Sequence, residues 1–114
     1  MASRRDSGLS EASRTLVARV SQSIHIQVFV TPTCPHCPRA VTLAHRMALE
    51  NRNITAACID ATQFPDLVRQ FRVTGVPKTV ALIGNTESAA IEILGAVPEA
   101  EFVGQIVGAA TSAA

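Results

Sequence analysis

A chain of 114 residues, 47% hydrophobic and 17% charged, is long enough to bury one core without staples and too apolar to stay disordered. Ten basic against nine acidic residues leave a formal charge of +1, which lacks the positive field that phosphate backbones demand and excludes nucleic acid as an expected partner. No uncharged apolar run approaches the roughly 20 residues of a bilayer-spanning helix, so no membrane partner is expected.

Arg4, Arg5, Arg14 and Arg19 among serines suggest a transit peptide, but Asp6 and Glu11 count against one, and no secretory apolar core follows. The expected location is the cytoplasm. Positions 1–8 are small and polar, a flexible start. Leu9, Leu16, Val17 and Val20 recur near helical spacing, with Ser10 as a cap and Glu11 as a first-turn acid. They predict a helix over about 10 to 21, inside an N-terminal segment 9–22 that precedes one domain over 23–111. Ile24 to Val30 reads Ile-His-Ile-Gln-Val-Phe-Val, alternating and then wholly apolar, as a strand covered on both faces does. After a cysteine motif, Ala40, Leu43, Ala44 and Met47 share one helical face while Arg39, Arg46 and Glu50 take the other, as far as Asn51. Ile54 to Ile59 is a second strand, made parallel to the first by the helical crossover.

Pro65 opens a short helix carrying Leu67, Val68 and Phe71. Thr79 to Ile83 and Ile91 to Leu94 are strands joined through Gly84-Asn85-Thr86-Glu87, a sequence with hairpin chemistry. Pro98 starts the last helix, with Glu99 and Glu101 in its first turn and Phe102, Val103, Ile106 and Val107 as its buried stripe. The order α-β-α-β-α-β-β-α predicts an α/β domain whose four-stranded mixed sheet lies between helices, with an extra helix at the N-terminus.

Three cysteines cannot close into a disulfide framework, and two of them stand as Cys34-Pro35-His36-Cys37 between a strand and a helix, a context of redox catalysis. At the helix start, unpaired amides and the helix dipole hold the Cys34 thiol well below a free cysteine, and the thiolate is the nucleophile. Cys37, one turn later and more shielded, resolves the mixed disulfide. The bland alternatives are two core cysteines or half a zinc site. Tetrahedral zinc wants four ligands, and no second Cys or His pair stands at ligand spacing. Neither a metal nor an organic cofactor is expected. His36, with Pro35 beside it, tunes the thiolate by donating or carrying positive charge near Cys34. Pro35 and Pro38 stiffen the helix start. Cys58, in an apolar strand, reads as a small buried hydrophobe. Asp60 reads as a solvated carboxylate, and His25 and His45 as surface or structural residues.

Strand, Cys-x-x-Cys at a helix start, strand, helix, then X-Pro leading a hairpin and a final helix is the plan of the thioredoxin fold. The segment Val28-Phe29-Val30-Thr31-Pro32-Thr33-Cys34-Pro35-His36-Cys37-Pro38 resembles the C-terminal unit of the protein disulfide oxidoreductases, glutaredoxin-like proteins built from two thioredoxin folds. The resemblance continues through Ala44-His45-Arg46, Phe64-Pro65, Val76-Pro77-Lys78 and Gly95-Ala96, and the N-terminal helix resembles the one that links the two units. The chain corresponds to one such unit. The resemblance implies a cis bond at Val76-Pro77 that faces the cysteine pair and offers backbone to an extended substrate segment, with Thr33 and Gly95 as further contacts. Gly75 and Gly95-Ala96 would leave room for that segment.

Two departures qualify it. Glutaredoxins carry Thr-Val-Pro and a later Gly-Gly with an acidic residue, where this chain has Gly75-Val76-Pro77 and Leu94-Gly95-Ala96. The expected electron donor is therefore a flavoprotein resembling thioredoxin reductase and not glutathione. Thioredoxins place a buried Asp and a Trp where Val28 and Thr33 stand, so proton handling differs. The same Cys-Pro-His-Cys tetrapeptide occurs in the periplasmic oxidant DsbA, which implies a fairly oxidising couple. The reading is a thiol-disulfide oxidoreductase acting on protein disulfides or dithiols. Its rivals are a thioredoxin-fold binding module and an electron-transfer partner of a flavoprotein or a peroxiredoxin.

Replacing His36 by alanine is expected to raise the pKa of the Cys34 thiol and make the couple more reducing, because a donor beside the thiolate is lost. Titration of thiolate absorbance in the two proteins checks this, and identical curves would remove His36 from the mechanism.

Overall fold

Ile24, Ile26 and Val28 are fully buried on one side of a strand and Phe29 on the other, and a strand apolar on both faces is stable only inside a sheet covered by two layers. The computed structural model, which describes residues 8–84 and 91–112, places it there. The elements are α1 (Glu11–Ala18), β1 (Ile24–Val30), α2 (Cys37–Glu50), β2 (Ile54–Asp60), α3 (Pro65–Gln70), β3 (Lys78–Ile83), β4 (Ile91–Leu94) and α4 (Glu99–Ser112). The sheet order is β2-β1-β3-β4. β1 pairs parallel with β2, while β1 with β3 and β3 with β4 are antiparallel. Among the described residues no helix is long and apolar enough to cross a membrane.

The larger core lies on the face that gathers α1, α2 and α4. Ile26, Val28, Ala81 and Ile93 from the sheet pack with Val17, Ala40, Ala44, Met47, Phe102, Val103 and Ile106. The opposite face is thinner. Phe29, Ile59 and Val80 pack with Phe71 after α3, and the Phe29 and Phe71 rings meet at 5.9 Å between centroids, an arrangement that adds to the area they bury.

The observed boundaries follow the expected ones with small shifts. α1 stops at Ala18 instead of about 21, because the Arg19 and Val20 amides turn back onto Leu16 and Val17 carbonyls. β3 begins one residue early, at Lys78, and Pro98 precedes α4, its carbonyl accepting the first helical bond from Phe102. Asn85 to Glu87 of the expected hairpin loop, and positions 1–7, lie outside the described residues.

Polar clamps hold α1 to the rest. The Asn51 amide donates to the carbonyls of Val17 and Val20, at 2.8 and 2.9 Å, and so ties the last turn of α1 and the residues after it to the end of α2. At the other end Ser10 caps the helix through its hydroxyl, accepting from the Ser13 amide, and its own N–H donates to Glu99 Oε2 at 2.8 Å. The Ser10 N–H, and then the Ser13 hydroxyl, hold the Glu99 carboxyl below the usual carboxylate range.

A carboxyl lowered by folding stabilises the native state above its unfolded pKa, and that contribution is lost as pH falls through the folded value. Glu99→Gln is therefore expected to be less stable than the parent at pH 7 and closer to it near pH 3. Urea midpoints at the two pH values check it, and an equal gap at both would place the effect outside the carboxylate's charge.

Candidate active site

The register brings four chain ends to one edge of the sheet. Val30 at the end of β1 lies opposite Asp60 at the end of β2, Phe29 opposite Lys78 at the start of β3, and Lys78 opposite Leu94 at the end of β4. The segments 31–36, 61–64, 71–77 and 95–98 therefore leave the sheet together. Two backbone bonds tie them down: Ala61 N–H donates to the Val30 carbonyl and Gly95 N–H to the Pro77 carbonyl, both at 2.8 Å.

Cys34 and Cys37 are joined by a disulfide with their Cα atoms 5.5 Å apart. The Cys34 amide closes a turn onto the Thr31 carbonyl at 3.2 Å, and Cys37 is the first residue of α2. Burial separates the two sulfurs' residues. Cys37 is only 4% exposed, whereas Cys34 is half-buried at the lip of the turn, flanked by exposed Thr33, Pro35 and His36. His36 occupies the N-cap of α2 but makes no side-chain capping bond, and a proline follows in the first turn. The remaining first-turn amides lack helical partners, which favours negative charge at this end.

Val76-Pro77 is a cis peptide, with Val76 half-buried and Pro77 buried. Gly95 takes a left-handed φ of +86°, which favours glycine, and a Cβ built there would meet nothing within 4 Å, so the space beside it is open. Gly75 faces a side chain, since a Cβ there would stand 3.9 Å from Leu94 Cδ1. Leu94 and Phe64 are large apolar residues left 65% and 50% exposed at this same edge, and no pattern in the sequence marks either as part of a site.

Lys78 is a further residue whose role the sequence pattern does not reveal. Its Nζ is almost buried, donates to the carbonyls of Phe71 at 2.8 Å and Arg72 at 3.2 Å, and pairs with Glu92 Oε1 at 2.9 Å. It thereby caps the end of α3, where Arg72 takes a left-handed φ of +53°, and anchors the segment leading to Pro77. The available signal is a lysine opening the apolar run Lys78-Thr79-Val80-Ala81-Leu82-Ile83.

Cys58 is exposed, not the buried hydrophobe expected. Its strand, β2, lies at the edge of the sheet with only β1 beside it, so an apolar sequence there is not proof of burial. Asp60 accepts from the amide and hydroxyl of Thr62, at 2.9 and 2.6 Å. His25 bonds Thr55 and His45 the Val41 carbonyl, and neither belongs to the site. Among the described residues no group of three His, Cys, Asp or Glu is placed to hold a metal ion.

Residues 24–108 match the thioredoxin domain family. Solved structures are similar to the whole arrangement. A protein disulfide oxidoreductase from Aeropyrum pernix aligns with 26% identity and a TM-score of 0.76 over 94% of this chain and 46% of its own. The alkylhydroperoxide reductase AhpF from Enterococcus faecalis aligns with 24% identity and a TM-score of 0.72 over 86% of this chain and 44% of its own. A thioredoxin from Halobacterium salinarum gives 18% and 0.64 over 82% of this chain and 80% of its own. The chain thus spans less than half the length of the first two. Among curated protein sequences none matches it.

Lys78→Met keeps the bulk of the side chain but leaves two carbonyls and Glu92 unpaired. It is expected to cost about 1–3 kcal/mol in urea unfolding and to speed amide exchange selectively over residues 72–76. Unchanged exchange there would dismiss Lys78 as the anchor of that segment.

Proposed function

Because the chain belongs to the thioredoxin domain family, we propose that it is a thiol-disulfide oxidoreductase that exchanges disulfides with client proteins through Cys34 and Cys37. The observation that supports this most strongly is the unequal exposure of the pair: an incoming disulfide meets half-buried Cys34, while Cys37 is 4% exposed. In the reducing direction the Cys34 thiolate attacks one client sulfur, a mixed disulfide forms and the other client sulfur leaves as a thiolate. The Cys37 thiolate then attacks Cys34 Sγ and expels the first client sulfur. The client gains two electrons and the domain is left as the Cys34–Cys37 disulfide. Run backwards, the same steps oxidise a client dithiol.

In this proposal His36 and Pro35 tune the thiolate from the exposed turn. Thr33, Val76, Pro77 and Gly95 hold the client backbone, and the exposed Phe64 and Leu94 offer it apolar contact. No metal or organic cofactor enters the exchange. The cytoplasm is the proposed setting, and an exposed free thiol at Cys58 suits a reducing compartment. The likeness to the alkylhydroperoxide reductase AhpF favours a second reading, in which the domain passes electrons between a flavoprotein and a disulfide or peroxidase partner. It would use the same two cysteines.

Cys37→Ser is expected to accumulate a mixed disulfide with a disulfide-bearing client, Cys34→Ser far less, and both to lose turnover. Without the resolving thiol the adduct persists until an outside thiol arrives. Non-reducing electrophoresis checks this, with Cys58→Ser expected to behave as the parent. Equal trapping by both variants, or adducts that require Cys58, would sink the assignment.

A further inference from the structure

A groove of about 350 Å³ runs along α2, lined by Pro38, Arg39, Thr42, Leu43 and Arg46 and closed by Glu99 at the start of α4. It begins one residue after Cys37. Leu43 forms a buried floor, whereas Arg39 and Thr42 stand exposed on the wall. The groove's one carboxylate is already satisfied: Glu99 accepts from the Ser10 amide at 2.8 Å, and Arg46 adds a favourable charge to it. Glu101, the other acid in that first turn, bonds Gln105 and does not line the groove. Arg39 makes no ion pair with any described residue. The first turns of α2 and α4 both border the groove and add partial positive charge. Among the described residues, therefore, no carboxylate pairs with this cation, which stands two residues after Cys37.

Distance connects the groove to the exchange. The Cα atoms of Cys34 and Cys37 are 5.5 Å apart and Pro38 is one peptide further, so the rim lies within about 10 Å of Cys34, a span of about three extended residues. That span is within reach of a client chain tethered to Cys34. We propose that this groove recognises acidic protein clients, taking an Asp or Glu side chain about three residues from the client cysteine bonded to Cys34, with Arg39 as its cation. The inference rests on the oxidoreductase reading and adds the class of client. The Asp60 carboxylate, at the end of β2 on the same sheet edge, disfavours acid on that side and so helps to set the direction in which the client lies.

Two measurements test it. The first compares reduction of three disulfide peptides by the dithiol protein, with glutamate, glutamine or lysine three residues from each cysteine. The parent is expected to prefer the glutamate peptide, and in Arg39→Glu the ratio of kcat/KM for glutamate over glutamine should fall about fivefold or more at low salt, the preference fading with added salt. The second titrates the oxidised protein with a cysteine-free glutamate peptide. Amide shifts are expected at residues 39–46 and 99 in the parent and should be lost in Arg39→Glu. Turnover of all three parent peptides at equal rates, with no shifts, would overturn the client class while leaving the oxidoreductase reading intact. Absence of any turnover would remove that reading, and the titration would still decide whether the groove binds acid.

Discussion

The pairing of β1 on both of its edges is the constraint on which the rest of the structure depends. Parallel pairing with β2 demands a crossover, and α2 supplies it, so the turn after Val30 must lead into a helix start. Antiparallel pairing with β3 brings Lys78 opposite Phe29, which carries the Val76-Pro77 bond to the edge where that turn leaves. The cysteine turn and the proline segment share an edge because one strand is held from two sides. Burial enforces the register. A slip by one residue would send Ile26 and Val28 to the thinner face and Phe29 to the helical one.

Helix termini supply the chemistry that the sheet positions. α2 starts at Cys37 without a side-chain cap, leaving first-turn amides without helical partners at the end of the helix that carries the disulfide. The same helix start shields Cys37 and leaves Cys34 half-open, so one piece of geometry separates the attacking and resolving roles proposed here. The exposed Phe64 and Leu94 carry an apolar surface to that place, and Arg39 a cation. Client recognition in this proposal is thus split between contacts that any unfolded segment satisfies and one that asks for negative charge.

Outside the site, polar contacts across long sequence separations do what apolar packing alone does not. Asn51 binds the end of α1, the Ser10 amide and Glu99 join the starts of α1 and α4, and Lys78 fixes the end of α3. Each reaches backbone groups at or just beyond a helix end, and each sets an orientation that non-directional burial leaves loose.

Locally encoded features were legible in the residues themselves. The alternation in Ile24 to Val30, the helical stripe of Ala40, Leu43, Ala44 and Met47, and the spacing of Cys34 and Cys37 against strand and helix all record short-range periodicity or steric preference, which a linear chain displays directly. The cis bond at Val76-Pro77 was available only by resemblance. What depends on which strand lies beside which was not legible. Cys58 reads as core because its neighbours are apolar, yet its strand became an edge. Gly95 reads as a spacer, and its left-handed φ became visible only in the folded chain. Nothing in the sequence assigned Lys78 a place, and it is buried against carbonyls several residues back in the chain. Arg39, an outward-facing helix residue in the sequence, became the wall of a groove only when α4 packed against α2. Periodicity reports one element at a time, while burial, charge environment and the convergence of loops are properties of elements brought together, and so the tertiary structure decided them.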